Sequence, residues 1–566
     1  MAIVFRHSIP LNTLKEIAKT LLVAVLVGLS GCEVASTVSV LAALALAGGK
    51  DGDCRATAPT INSATATPQS TVSDREVVFA AAAEDSCRLP LTYSWDFGDQ
   101  TYSSGTTANK TYLRAGTYTV TLTVTNRANL SAIKTLLVTV EWKPLEKLWT
   151  RRQGLLRDDQ GSSTSMTRAV TAAPSGGAYA LGDTRCGGCH NTTEQSFFES
   201  INVRGSNAYL TRFNSDGTKS WTKLIGAKID VFDEFYDHLG TAIASTTTGD
   251  AVYVGGSTQG SNKFFDNFPT PTPDGFVAKY SSDGTKVWSS LVSGTGTDEV
   301  SGMAIAPDGT MYVVGSSSSA SLNDQVGQGG TDAFLIKYSA SGSILWTTRI
   351  GGTGSDVAAA VAVADNDTIY LVGTTSSPVL QAQSSNGGND AFISRVSGTG
   401  VVQWTRVIGD AGEDFARAAA VGTDGSLYVV GDSAGSGQSH DIKVIKVTPT
   451  GTTTWTRTFG GSSVERGYGV LASAKAIYVT GSTASSSFEG NANSGSGIQA
   501  FITKFLPDGT KAQTQITGGN GEDSALAIGL SSDDGLFIVG HSSSETLDDQ
   551  ARVSKGTDGF ITKYKP

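Results

Sequence analysis

From Leu148 onward one set of four short segments recurs seven times, and a chain patterned that way is confined to a repeat architecture. One segment carries Tyr179, Tyr253, Tyr312, Tyr370, Tyr428, Tyr478 and Phe537, each followed three residues later by glycine, from Gly182 through Gly540. A second reads Ala333-Phe334-Leu335-Ile336-Lys337-Tyr338 in one repeat and Gly559-Phe560-Ile561-Thr562-Lys563-Tyr564 in the last. A third holds Trp149, Trp221, Trp288, Trp346, Trp404 and Trp455, with Gln513 in the seventh place; neighbours lie 51 to 72 residues apart. A fourth, such as Ala358 to Ala364, is small and apolar. Four short strands per period of this length predict the blade of a β-propeller. The small strand belongs innermost, where strands crowd at the axis, and the Trp strand outermost. The pattern opens on a Trp strand and closes on the Lys563 strand, which in other repeats immediately precedes Trp. The two chain ends therefore complete one blade and leave no open edge. The expectation is a seven-bladed β-propeller over residues 147–566.

This region resembles the β-propeller repeats of the SBBP family, an architecture that implies no particular reaction. Upstream, Leu91-Thr92-Tyr93-Ser94-Trp95, Tyr118 to Val124 and Leu136 to Val140 mix apolar and β-favouring polar residues, the longer runs in alternation, as half-buried strands do. Tyr93-Ser94-Trp95-Asp96-Phe97-Gly98-Asp99, followed by Ala115-Gly116-Thr117-Tyr118-Thr119-Val120, resembles the PKD family over residues 58–142. The resemblance implies an immunoglobulin-like sandwich acting as a spacer or adhesive module. Trp95 is expected in its core, Asp96, Gly98 and Asp99 in a turn, and the Tyr118 hydroxyl at a strand corner. The fold class is thus all-β: a sandwich, then a propeller.

Arg6, Lys15 and Lys19 precede an apolar run, Leu21 to Leu29, too short to span a bilayer. It ends in Leu29-Ser30-Gly31-Cys32, which resembles the lipobox of bacterial lipoproteins and implies a diacylated Cys32 as the mature N-terminus. The alternative is simple signal cleavage after Ala45-Leu46-Ala47. Residues 1–32 are read as the signal and 33–57 as a linker. Export is expected, to the outer membrane or cell surface, with the periplasm as the other destination. Of the remaining cysteines, Cys54 with Cys87 and Cys186 with Cys189 are candidate disulfides.

A net charge of -10 argues against nucleic acid, whose partners need a basic face. Two features carry possible chemistry. An acidic residue stands at the turn into the small strand in most repeats: Asp237, Asp298, Asp356, Asp414, Glu465 and Asp523. These carboxylates are read either as a ring at a channel mouth, attracting a divalent cation or a basic group, or as acceptors for their own turns. Asp274, Asp332, Asp390, Asp441 and Asp558 recur before the Lys-bearing strand and are read as turn residues. Cys186-Gly187-Gly188-Cys189-His190 has the form of a c-type haem attachment site, with His238 a candidate distal ligand; the alternative is a local disulfide. No catalytic constellation is evident: no His-Glu-x-x-His occurs, and no Gly-x-Ser-x-Gly elbow sits in a strand–turn–helix context. The leading reading is a lipid-anchored surface protein that binds or adheres to a glycan or protein and carries no cofactor. The rivals are a haem-bearing redox protein and a propeller hydrolase or lyase acting on extracellular polymers.

Overall fold

The computed structural model describes residues 56–154, 163–189, 203–225, 237–262, 268–365, 367–434, 439–493, 497–554 and 556–566; the side chains of 186–189, 203–205, 260–262 and 268–271 are outside that description. The chain divides into two compact units, residues 1–141 and 142–566. Among the described residues no helix is long and apolar enough to cross a membrane.

The first unit is a sandwich of a three-stranded and a five-stranded sheet. Period-two alternation drives Val120, Leu122 and Val124 of strand Gly116–Asn126 inward against Phe79, Trp95 and Phe97. Trp95 is fully buried, and its indole still donates to Gly105 O at 3.0 Å, as a buried polar group must. Asp96 accepts from Gly98 N at 2.9 Å, while Asp99 accepts from Thr101 and pairs with Lys110 at 2.6 Å. Both carboxylates are thus engaged within their turn. Tyr118 donates to Arg114 O at 2.9 Å, pinning the corner. Cys87 is disulfide-bonded; Cys54, like Cys32, lies outside the described residues.

The second unit is built of four-stranded antiparallel sheets. Five are separate, and an eight-stranded sheet divides into two more, joined only by the parallel bridge Ser206↔Asp237. One sheet has Asp356–Asp365 innermost, then Thr368–Thr375, Asp390–Val396 and Val402–Ile408. The other inner strands are Ser163–Ala172, Asp237–Ser245, Asp298–Ile305, Asp414–Val421, Glu465–Ala472 and Asp523–Leu530. Each touches the inner strand of the next sheet, and the last touches the first, so the sheets form a closed ring of blades. In the closing blade Asp558–Lys565, from the C-terminal end, pairs with Glu146–Gln153, with Lys563 opposite Trp149.

The repeated tryptophans hold adjacent blades together. Each of the six lies on a glycine in the turn between the third and fourth strands of the following blade: Gly217, Gly284, Gly342, Gly400, Gly451 and Gly509. These glycines have φ of +80 to +91°, and a Cβ on any of them would come within 2.7 to 3.3 Å of an indole carbon. Five of the indoles also donate to a carbonyl of that turn, Trp346 to Gly398 O at 3.0 Å for example. Gln513 breaks the pattern for a structural reason. The blade it faces takes its third and fourth strands from opposite chain ends, so no turn joins them. The Gln513 amide instead donates to Lys143 O at 2.9 Å and accepts from Leu145 N at 3.2 Å.

The glycine three residues after each aromatic has a second steric cause. Every inner strand carries a one-residue bulge, at Arg168, Thr241, Ser301, Ala359, Arg417, Tyr468 and Leu526. Just before the bulge, a backbone carbonyl occupies the place a Cβ would take on the second strand. A Cβ on Gly373 would lie 2.0 Å from Val357 O, and one on Gly431 would lie 1.7 Å from Phe415 O.

Candidate functional site

The bulge aligns the seven inner strands residue by residue. Three places before it stand Ser165, His238, Asp298, Asp356, Asp414, Glu465 and Asp523. Five of the six acidic candidates therefore share one position. The second blade has His238 there, not Asp237, which sits one residue earlier, is exposed and accepts from Ser206 N at 3.1 Å. The five carboxylates are buried to 1% exposure or less. Each accepts a backbone N–H from the glycine-rich loop ahead of it: Gly294, Gly352, Asp410, Gly461 and Gly519, at 2.7 to 2.9 Å. Ser319, Ser377, Ser485 and Ser544 donate to four of them, and Lys443 to Asp414 at 2.7 Å. Ligands in solution do not meet these groups; they close loops.

The second acidic series lies against the first. A Cβ on Gly351 would fall 1.9 Å from Asp332 Oδ1, which is why that loop starts with glycine. Where two carboxylates crowd, a cation often intervenes: Arg349 meets Asp332 at 2.9 Å and Lys443 meets Asp414. Asp274 has no ion-pair partner among the described residues, and burial together with the Asp298 charge pushes its pKa up to about 6. A carboxyl whose folded pKa is raised stabilises the fold at low pH and loses that contribution as pH climbs through about 6. Asp274→Asn is therefore expected to raise stability at pH 7 by about 1–2 kcal/mol, with the gain vanishing near pH 4. Unfolding midpoints across that range check it.

His238 is buried, with Nδ1 2.7 Å from Thr258 Oγ1, and burial pushes its pKa down to about 4. Cys186 and Cys189 fall in strand Ala178–Cys189, where their backbones pair with Gly205 and Val203. Their side chains and His190 are outside the described residues. Among the described residues no group of three or more His, Cys, Asp or Glu is arranged to hold a metal ion. A shallow cleft beside Gln513, lined by Pro144, Leu145 and Asn491, marks the place where the other blades have a tryptophan.

The accessible side chains of the inner strands tell a different story. Burial alternates along six of these strands, so the bulge residue and the residue two before it are exposed or half-buried; in the seventh blade Ser524 is buried and Leu526 half-buried. In the second to fourth blades these are Leu239 and Thr241, Glu299 and Ser301, Val357 and Ala359. In the fifth, sixth and first they are Phe415 and Arg417, Arg466 and Tyr468, Met166 and Arg168. Neighbouring positions on the second strand follow suit: Ser257, Ser316, Thr374 and Ser482 give way to Asp432, His541 and Asp183 in the fifth, seventh and first blades.

These exceptional residues meet one another. Arg417 binds Asp432 through Nε, and again from Nη2 at 3.2 Å. Its guanidinium lies 4.9 Å from the Phe415 ring centroid and 5.6 Å from that of Tyr468 on the next blade. His440 Nδ1 is 3.1 Å from Asp432. Burial opposes the Arg417 charge, but the bonded Asp432 outweighs it and holds the guanidinium above its usual pKa. Arg168 pairs with Asp183, and burial with the nearby Arg168 charge keeps His541 below the ordinary imidazole value. Lys443 replaces the aromatic residue, phenylalanine in five blades and Tyr209 in the first, that other blades pair with the second-strand glycine. Periodicity hides this cluster from the sequence. It is found by aligning repeats on the bulge and reading the departures.

Residues 56–140 match the family described as the PKD domain. The crystal structure of the PKD1 domain of Vibrio anguillarum Epp is 30% identical, covering 16% of this chain and 100% of that one, with a TM-score of 0.14. The regulatory protein FlaEY of Caulobacter vibrioides is 29% identical over 217 residues, 34% of this chain and 22% of that protein. The chain thus spans about a fifth of that relative. The periplasmic gluconolactonase PpgL of Pseudomonas aeruginosa is 13% identical, covering 77% of this chain and 98% of that one, at a TM-score of 0.36. Residues 56–140 thus form a PKD-like immunoglobulin-type sandwich, and the closed ring of blades is a β-propeller fold.

Proposed function

We propose that the chain is an exported surface protein, lipid-anchored at Cys32, whose seven-bladed propeller binds a ligand on the inner face of the fifth, sixth, seventh and first blades. One observation carries this reading. Residues that build a repeat recur in every blade, whereas Phe415, His440, Arg466, Tyr468 and His541 each occur in one blade and the Arg–Asp pair in two, as Arg168–Asp183 and Arg417–Asp432, and they still gather at one level of one arc. Fold construction does not require them there. Paired charges backed by aromatic rings, facing small side chains across the ring, suit recognition better than turnover.

The test is an array of soluble glycans and surface polymers probed with the full chain and with a Tyr468→Ala, Arg466→Ala variant. The expected result is a defined set of binders that the variant loses while its unfolding midpoint stays within a degree or two. Binders retained in full by the variant would move the site elsewhere. A silent array would overturn the reading.

A further inference from the structure

Most charge on the ring face is internally paired, and one arginine is left over. At this level of the inner strands Arg466 and, on the other arc, Glu299 are exposed, whereas Arg168 and Arg417 are half-buried. The carboxylates among them are already answered. Asp432 is spanned by Arg417, Asp183 is paired with Arg168, and Asp414 is bonded to Lys443. Arg466 is exposed and forms no ion pair among the described residues. It stands on strand Glu465–Ala472, two residues from Tyr468, whose ring covers one side of the Arg417 guanidinium.

We propose that the ligand of this face is a uronic-acid saccharide, its carboxylate taken by Arg466 beside Arg417 and its ring faces laid against Tyr468 and Phe415. The assignment rests on the binding function proposed above. A guanidinium is a planar fork that matches a carboxylate with two parallel bonds, and Arg466 has no ion-pair partner among the described residues to give up. Arg417 is different: Asp432 fixes its plane, so it supplies an oriented charge and a stacking surface. Aromatic rings offer flat apolar faces to the C–H faces of a pyranose, while His541, half-buried, is a polar group at the same level for its hydroxyls. Thr241, Ser301 and Ala359 opposite are small, which leaves space across the ring. An acidic peptide would satisfy the arginines, but it has no pyranose face to lie on the tyrosine.

Calorimetric titration of the full chain with hexagalacturonate, maltohexaose and hexaglutamate separates these chemistries. Hexagalacturonate is expected to bind, with affinity falling as salt rises. Arg466→Glu should weaken it by at least about tenfold, and Tyr468→Ala by a comparable factor. Unchanged unfolding midpoints would show that both variants fold. Maltohexaose bound as tightly, and lost in Tyr468→Ala, would overturn the acidic assignment and leave the binding face standing. Hexaglutamate bound as tightly would overturn the saccharide assignment. No binding by any of the three would overturn the inference, and a silent glycan array as well would remove the binding face itself.

Discussion

Arg152→Met is expected to destabilise the propeller by about 4 kcal/mol and to free its first strand. The Arg152 side chain is 1% exposed and that of Asp558 0%, with Nε 3.0 Å from the carboxylate. Its Nη1 and Nη2 donate to Ser544 O at 2.8 Å and Ser542 O at 3.3 Å. Methionine fills the volume but leaves Asp558 charged, buried and answered only by the amides of Val553 and Ser554. Breaking one side of a buried pair costs more than the pair contributes, because the remaining charge stays desolvated. Arg349 makes the same pattern with Asp332, Ser317 and Ser319, in a blade whose third and fourth strands are joined by a turn. Arg349→Met should therefore cost similar energy without opening the ring, whereas Arg152→Met should expose Glu146–Gln153 to a protease. Adding Asp558→Asn to Arg152→Met should restore part of the loss. Unchanged stability in Arg152→Met would refute the closure argument.

The second large effect is expected at Gly373. Alanine there places a Cβ 2.0 Å from Val357 O and 2.9 Å from Ala358 Cα, both backbone atoms of the inner strand. A flexible side chain could swing aside, but this contact requires the bulge itself to move. We expect a loss of about 3 kcal/mol, in the range of overpacked cores. Gly309 provides the control. It has φ +81° but nothing within 4 Å of a Cβ, so Gly309→Ala should cost only about 1 kcal/mol, from backbone conformation. If the two substitutions cost the same, the glycine repeat owes nothing to the bulge.

How far the sequence could be read follows from these contacts. The strands, their order within a blade and the pairing of the chain ends were legible because each rests on residues that recur. Trp and Gly repeat because each indole needs a flat shelf on the next blade. Gln513 stood out as an exception, but its reason needed the structure, since only the fold shows that the blade opposite has no turn. The acidic series was legible as a series and ambiguous in role. Sequence cannot tell a carboxylate facing an axis from one folded back on its own loop N–H groups, and buried Asp356 and Asp523 are the latter. Asp237 was misaligned by one residue because the recurring second-strand glycine does not give the place of the bulge on the inner strand, and that place sets the register. The arginine arc stayed hidden for the same reason. Arg168 and Arg417 share the bulge position and Arg466 stands two residues before its own bulge, a relation that no sequence spacing shows.

The most direct test of the account is hydrogen–deuterium exchange on the full chain, with and without the saccharide that binds it most tightly on the array. Protection is expected to be confined to the inner strands Asp414–Val421, Glu465–Ala472 and Ser163–Ala172, with Asp298–Ile305 and Asp356–Asp365 unchanged. Equal protection of all the inner strands, or protection only within residues 56–141, would contradict it.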